Sequence, residues 1–175
     1  WLAVSMLCAA VAACGGSDSE PEVKFLHGVA SGDPLSDRIV LWTRVTPPAG
    51  HTADIPVQWE VATDAAFGTI VAKGQASATE AKDFTVKVDA TGLQPATAYH
   101  FRFSAYAARS ATARTRTLPT GSVAQVKLAV FSCANYPAGY FNAYADAARR
   151  NDLDATVHLG DYLYEYPRGG YASAN

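Results

Sequence analysis

Repeated alternation of apolar and polar side chains between residues 24 and 120 is the feature that most constrains the fold. It is cleanest in Val57–Val61 (VQWEV), Phe84–Val88 (FTVKV) and Tyr99–Phe103 (YHFRF), and Arg38–Val45 mixes β-branched, aromatic and polar residues in a similar way. Successive side chains of a strand point to opposite faces of a sheet, so such segments are typical of half-buried strands. Short strands separated by turn residues predict an all-β sandwich.

A corner motif comes directly before the last of these strands. Leu93–Tyr99 (LQPATAY) resembles the Leu-x-Pro-x-Thr-x-Tyr corner of fibronectin type III domains, in which the tyrosine hydroxyl bonds back to the chain upstream. The resemblance predicts a structural role for Tyr99 and a fibronectin III-like sandwich over residues 24–120. Trp42 and Trp59 lie in the predicted strands, and we expect both in the core.

The first residues have the character of an export signal. Residues 1–13 are apolar and uncharged, about as long as the apolar region of a signal peptide and too short to span a bilayer. Val11–Cys14 resembles a bacterial lipobox and predicts lipidation of Cys14, although a plain cleaved signal and a buried N-terminal helix stay open. We therefore expect residues 1–23 to be an export signal with a linker, and the protein to be periplasmic, on the cell surface or secreted.

Composition and cysteine count narrow the classes of partner. The chain has a net charge of −2 and no basic stripe, which argues against a nucleic-acid-binding surface. Contact with a membrane is expected only through the possible lipid anchor. If Cys8 leaves with the signal and Cys14 carries lipid, Cys133 has no partner for a disulfide. The chain begins at Trp1 and ends at Asn175, and we expect it to be a fragment.

The pattern changes to strand, helix, strand after Thr120. Gln125–Ser132 is a largely apolar run, Gly139–Arg150 has helical spacing, and Ala155–Leu159 is a second short apolar segment. This order predicts two adjacent parallel strands joined by a helix. Residues 121–175 are therefore expected to begin an α/β domain.

Three residues with ligand chemistry follow the two predicted strands. Cys133 follows the first strand and Asp161 the second, and Tyr164 comes three residues later. Sites in parallel sheets form beyond the carboxyl ends of the strands, so these side chains are expected at one edge. A thiolate, a carboxylate and a phenolate together favour a highly charged ion such as ferric iron over magnesium. The residues alone leave open a buried cysteine beside a tyrosine cluster.

Two further polar residues lie near this edge. Asn135, two residues after Cys133, is a candidate for contact with substrate, and a role in the loop is the alternative. Alternation along the second strand places His158 on the face opposite Val157 and Leu159. We expect His158 to support the site or pack in the core rather than bind metal.

Longer motifs connect these residues to a known family. Gly160–Tyr164 (GDYLY) resembles the Gly-Asp-x-x-Tyr signature of calcineurin-like metallophosphoesterases. Purple acid phosphatases have an aspartate at the end of the first strand, whereas this chain reads Phe131–Cys133 (FSC) there. With His27–Pro34 (HGVASGDP), Val40–Arg44 (VLWTR) and Val157–Tyr166 (VHLGDYLYEY), the chain resembles the PhoD-type alkaline phosphatases.

The resemblance implies a site and an activity. In that family a cysteine, a bridging aspartate and a tyrosine help to hold ferric iron (Fe3+) beside calcium, which here would be Cys133, Asp161 and Tyr164. The implied reaction is hydrolysis of phosphate monoesters and diesters outside the cytoplasm, with a metal-held oxygen species as nucleophile and no catalytic side chain. The family takes its remaining ligands from later segments, so residues 121–175 would be an incomplete metallophosphoesterase domain and the fragment inactive.

Two alternatives remain at this stage. One is an esterase similar to the purple acid phosphatases, which share the order of domains. The other is a surface lipoprotein without catalytic activity that binds a partner through its β-sandwich.

Overall fold

A computed structural model describes residues 20–135 and 140–164 of the chain. This part contains ten strands and one α-helix, with a single 3-10 turn at Glu80–Lys82: β1 (Val29–Gly32), β2 (Arg38–Arg44), β3 (Ile55–Ala62), β4 (Ile70–Ala78), β5 (Thr85–Thr91), β6 (Ala98–Ala105), β7 (Ala108–Arg109), β8 (Ala113–Arg116), β9 (Leu128–Phe131), α1 (Asn142–Arg149) and β10 (Ala155–His158). In the described ranges, no helix is both long and apolar enough to cross a membrane.

The first eight strands form two antiparallel sheets. One sheet has the order β1-β2-β5, and the other has the order β4-β3-β6-β7, with β8 also paired to β6. Leu41 of β2 lies opposite Val88 of β5, and Trp59 of β3 lies opposite Phe103 of β6. The prediction of an all-β sandwich is confirmed.

A single apolar core joins the two sheets. Leu41 and Val86 come from the first sheet, Val57, Phe101 and Phe103 come from the second, and all five side chains are at most 2% exposed. They occupy alternate positions along their strands, as the sequence pattern predicts. Burial of side chains of this size is worth roughly 1.5–3 kcal/mol each before entropy is counted, so this cluster holds the sandwich together.

The two tryptophans lie in different environments. Trp59 packs against the core, and its ring lies so close to Gly74 that a Cβ there would approach Trp59 Cζ2 to 2.7 Å. Both tryptophans are half-buried, but Trp42 is not among the residues packed against the core, so the expectation of a core position is wrong for it. Leu41 and Thr43 take the inward positions of β2, and the period of two then turns Trp42 to the other face.

The predicted tyrosine corner is present. Tyr99 is 2% exposed, and its hydroxyl oxygen accepts the Gln94 N–H at 2.8 Å. The Thr117 hydroxyl donates to the Gln94 carbonyl oxygen at 2.6 Å and accepts the Thr97 N–H at 3.1 Å. The corner is therefore fixed from two sides, and the structural role predicted for Tyr99 is confirmed.

The second region is a parallel strand–helix–strand unit. β9 and β10 pair in parallel, with Leu128 opposite Ala155 and Phe131 opposite His158, as the sequence predicts. β9 is shorter than the predicted strand, because only Leu128–Phe131 has a partner. β9 is also not buried in this chain, and its residue Val130 is 56% exposed. One neighbouring strand and one short helix leave much of the surface of β9 uncovered.

Polar contacts join the last strand of the sandwich to the turn between α1 and β10. The Arg114 guanidinium donates to the Arg150 carbonyl oxygen at 2.9 Å and to the Asn151 side chain. Arg116 forms an ion pair with Asp154 at 3.0 Å. These contacts lie before the amino end of β10, whereas the candidate ligands follow its carboxyl end.

Candidate functional site

The segments after β9 and β10 are hydrogen-bonded to each other beyond the paired strands. The Cys133 N–H donates to the Gly160 carbonyl oxygen at 3.3 Å, and the Ala134 N–H donates to the Asp161 carbonyl oxygen at 2.9 Å. The Tyr164 N–H closes the loop by donating to the Ala134 carbonyl oxygen at 3.1 Å. The main chain therefore brings all three predicted ligands to one edge of the sheet.

Two of these ligands have an unusual backbone conformation. Cys133 has φ 59° and Asp161 has φ 50°, and Gly160 between the strand and the aspartate has φ 115°. Positive φ is uncommon outside glycine, and residues held there cluster at functional sites. The positive φ at Cys133 and Asp161 turns the main chain at the points where the two parallel strands have ended.

The side chains converge on one oxygen atom. The Tyr164 hydroxyl donates to Asp161 Oδ2 at 2.8 Å, and the Cys133 thiol lies 3.6 Å from the same oxygen. Cys133 is exposed among the described residues, whereas the alternative left open by the sequence was a buried cysteine. The structure thus brings together the three residues named from the sequence.

The electrostatics of this cluster suit a bound cation. The pKa of Tyr164 is raised well above its usual value, first because its hydroxyl donates to the Asp161 carboxylate and second because it bonds with Cys133. A phenolate beside a carboxylate and a thiol is disfavoured, and a metal ion at the point of convergence would reverse this effect. In residues 20–135 and 140–164, no three His, Cys, Asp or Glu side chains gather to hold a metal. The third group here is a phenol, so the donor set fits a metal that accepts oxygen and sulfur ligands.

An open cleft of about 320 Å³ lies beside Cys133. Its lining includes Asn135 on the loop and Tyr144 on the helix, but neither Asp161 nor Tyr164. The Asn135 Oδ1 atom is buried and has no hydrogen-bond partner among the described residues. An unpaired buried amide oxygen at the edge of a cleft is a candidate for contact with a ligand.

Three aromatic rings support the loop that carries Asp161. His158 Nε2 lies 2.7 Å from the Tyr144 hydroxyl, and its ring meets that of Tyr162 at 5.0 Å between centroids. We call Tyr144, His158 and Tyr162 the aromatic buttress. Sequence reasoning expected His158 to support the site or pack in the core, but it did not identify Tyr144 as its partner. The signal was the helical spacing that places Phe141 and Tyr144 on one side of α1.

Some predicted features lie outside the described residues. Cys14 and the other residues up to 19 belong to this set, as do residues 136–139 and 165–175. Lipidation of Cys14 stays a prediction, and so do the boundaries at residues 23 and 120.

The described residues thus combine an antiparallel sandwich with a parallel strand–helix–strand unit that has a thiol, a carboxylate and a phenol at its strand edge. The sequence profile described as "PhoD-like phosphatase, N-terminal domain" matches residues 9–119, and the profile "PhoD-like phosphatase" matches residues 128–175. The chain belongs to the PhoD-like phosphatase family.

Individual relatives agree with this assignment. The "Alkaline phosphatase D" of Bacillus subtilis (strain 168) is 43% identical over 156 residues, which is 85% of this chain and 27% of the relative. A solved structure titled "Structure of PhoD" is 43% identical and has a TM-score of 0.76, over 81% of this chain and 28% of that one. The chain thus spans little more than a quarter of the length of the relatives it matches.

Proposed function

We propose that the whole protein containing this chain is a metal-dependent hydrolase of phosphate esters that acts outside the cytoplasm. The observation that carries the proposal is the convergence of Cys133, Asp161 and Tyr164 on Asp161 Oδ2. The similarity to an alkaline phosphatase supports a phosphate ester as the substrate. A lipoprotein without catalytic activity is the weaker hypothesis, because both parts of the chain match a phosphatase family.

The chain contributes part of a metal centre in this proposal. Cys133, Asp161 and Tyr164 would hold iron, with Asp161 shared with a calcium ion, and the remaining ligands would come from elsewhere in the whole protein. When bound, the metals supply Lewis-acid polarisation of the phosphoryl oxygens. Asn135, whose amide oxygen lies at the cleft without a hydrogen-bond partner among the described residues, would contact the substrate. Residues 121–175 would then form the beginning of the metallophosphoesterase domain, after a sandwich over residues 24–120.

The proposal includes export. Residues 1–13 have the composition of a signal sequence. The segment Val11–Cys14 resembles a lipobox. The protein would then act in the periplasm, at the cell surface or after secretion. Fractionation of cells that express the whole protein tests this, because recovery with the cytoplasmic proteins would contradict export.

The decisive experiment compares the whole protein with its Asp161→Asn variant. We expect the wild type to contain iron and calcium by elemental analysis and to hydrolyse p-nitrophenyl phosphate or bis(p-nitrophenyl) phosphate at alkaline pH. The variant should lose metal and at least roughly 100-fold in kcat/KM, because Lewis-acid stabilisation of the transition state is worth several kcal/mol.

Asp146→Asn is the matched control. Asp146 is an exposed residue of α1 whose ion pair is with Arg149 in the same helix, so this variant should keep both metal and activity. A wild type with neither metal nor activity would contradict the proposal. So would an Asp161→Asn variant that keeps both.

A further inference from the structure

His158 uses both nitrogens of its ring. It is the last residue of β10 and is half-buried. Its Nε2 lies 2.7 Å from the Tyr144 hydroxyl oxygen, and its Nδ1 accepts the Gly160 N–H at 3.3 Å. The imidazole therefore connects the helix to the turn that precedes Asp161.

The hydrogen bonds determine the tautomer. A backbone N–H can only donate, so Nδ1 must be the nitrogen without a proton and Nε2 must carry one. The Nε2–H of His158 then donates to the Tyr144 hydroxyl oxygen. In this tautomer, the imidazole accepts the hydrogen bond from the Gly160 N–H. Its hydrogen bond to Tyr144 of α1 orients the ring.

The peptide groups on both sides of Gly160 are held. His158 accepts the Gly160 N–H, and the Gly160 carbonyl oxygen accepts the Cys133 N–H at 3.3 Å. Gly160 and Asp161 both have positive φ, at 115° and 50°. Because this turn sets the direction of the Asp161 side chain, the contact from His158 acts on the carboxylate through one residue of main chain.

The ring of His158 is in contact with two other aromatic rings. It makes an edge contact with Tyr162 at 5.0 Å between centroids and lies 6.1 Å from the ring of Tyr144. The rings of Tyr144 and Tyr162 stack at 6.4 Å. A supporting group can orient a ligand only if its own position is restricted, and the aromatic buttress meets this condition.

We propose that His158 is a positioning residue for Asp161, acting through the Gly160 N–H and touching neither metal nor substrate. This inference rests on the proposed function, because it assigns Asp161 to a metal. It goes beyond that function because it assigns a role to helix α1: Tyr144 of this helix orients His158, and His158 orients the turn that carries Asp161.

Two substitutions separate the two nitrogens. In His158→Asn, the amide oxygen replaces Nδ1 as acceptor for Gly160 and the contact with Tyr144 is lost. In His158→Gln, the amide nitrogen reaches the place of Nε2 and the contact with Gly160 is lost. The whole protein is purified in each form, and metal content, visible absorption, kcat and KM for p-nitrophenyl phosphate are measured.

We expect His158→Gln to lower kcat roughly 10–100-fold with KM changed less than about twofold, which is the usual size of effect for a residue that orients a metal ligand. Its iron content should fall, and the phenolate-to-iron absorption band should weaken or shift. His158→Asn should restore the band and at least about a third of the wild-type kcat. A residue that only stabilises the fold would not distinguish Asn from Gln in this way.

The possible outcomes decide the inference. Equal retention of metal and activity in both variants overturns it, and so does equal loss in both, because the Gly160 contact would then not be the cause. If His158→Gln fails to fold, a folded His158→Asn that loses the absorption band overturns the inference, and one that keeps the band supports it. A wild type without metal or activity would contradict the proposed function itself, which is a different result from an active wild type with unaffected variants.

Discussion

The sandwich and the strand–helix–strand unit differ in what holds them in place. The sandwich has a core in which Leu41, Phe101 and Phe103 are fully buried. In the described residues after Thr117 no side chain is buried, and main-chain hydrogen bonds and the aromatic buttress order the candidate site. The difference teaches that, within the described residues, the core and the candidate site are separated: the part with the core has no cluster of candidate ligands, and the part with that cluster has little core.

The largest expected effect tests this contrast directly. In the 175-residue chain, Phe101→Ala should lower the free energy of unfolding by about 3–5 kcal/mol, because it leaves a cavity in the core. Val130→Ala, at a position that is 56% exposed in β9, should change it by less than about 0.5 kcal/mol. Urea denaturation measures both, and similar costs at the two positions would show that the second region has a core of its own.

The hydroxyl groups of Tyr99 and Tyr164 allow the same comparison of the two regions with a smaller expected change in stability. Tyr99→Phe leaves the part-buried Gln94 N–H without its partner and should cost about 1–3 kcal/mol of unfolding free energy. Tyr164→Phe removes a hydroxyl whose partner is the exposed Asp161 carboxylate, so we expect no measurable loss of stability. If the proposed metal centre forms in the whole protein, this variant should instead lose its visible absorption band.

Tyr106→Phe is the control for these two variants. Tyr106 packs against the core, and the structure gives its hydroxyl no hydrogen bond within the described residues, so the change should be within about 0.5 kcal/mol. Thermal unfolding compares the three variants. A Tyr99→Phe protein as stable as the Tyr106→Phe protein would contradict the role assigned to the corner.

The smallest expected effect is the pH dependence of the free energy of unfolding that Asp152 contributes in the strand–helix–strand unit. The pKa of Asp152 is held well below its ordinary value of 3.8, chiefly by the hydrogen bond from Arg150 and then by that from Lys127. A carboxyl with a lowered folded pKa adds stability above its unfolded pKa, and this contribution is lost as the pH falls below about 3.8. The wild type should therefore be slightly more stable than Asp152→Asn near neutral pH.

That difference should shrink as the pH is lowered from 3.8 towards the folded pKa. Unfolding of both forms by denaturant across this range measures it. A difference that stays constant with pH would show that the charge of Asp152 does not contribute to the contact between Lys127, Arg150 and Asp152.

Strands were predicted best from the sequence where apolar and polar residues alternate clearly. β2, β3, β5 and β6 were all identified because their apolar residues alternate with polar ones. β4 was not, because its inward positions are small residues such as Ala72, Gly74 and Ala76, which give a weak hydrophobic signal. The face of Trp42 was also not predicted, since a segment that mixes polar and apolar residues does not show which set points inward.

The proximity of the candidate residues was predictable from the sequence, but the network of contacts around them was not. The order strand, helix, strand placed Cys133 and Asp161 at one edge, because parallel strands end on the same side. The hydrogen bond between Tyr144 and His158 depends on how α1 lies against the sheet. Sequence spacing does not specify that packing, so the aromatic buttress became visible only in three dimensions.

The main-chain bonds that link the segments after β9 and β10 have an evolutionary consequence. Amide and carbonyl groups are common to nearly all residues, so the loop geometry at positions 133, 161 and 164 depends little on which side chains stand there. Point substitutions at these positions can therefore change the side-chain chemistry of this edge while the main-chain bonds stay in place. The positive φ at Cys133 and Asp161 limits this freedom, since β-branched residues are strongly disfavoured there and Asn, Asp and Gly are accepted most easily. The backbone thus limits which side chains positions 133 and 161 can acquire by substitution.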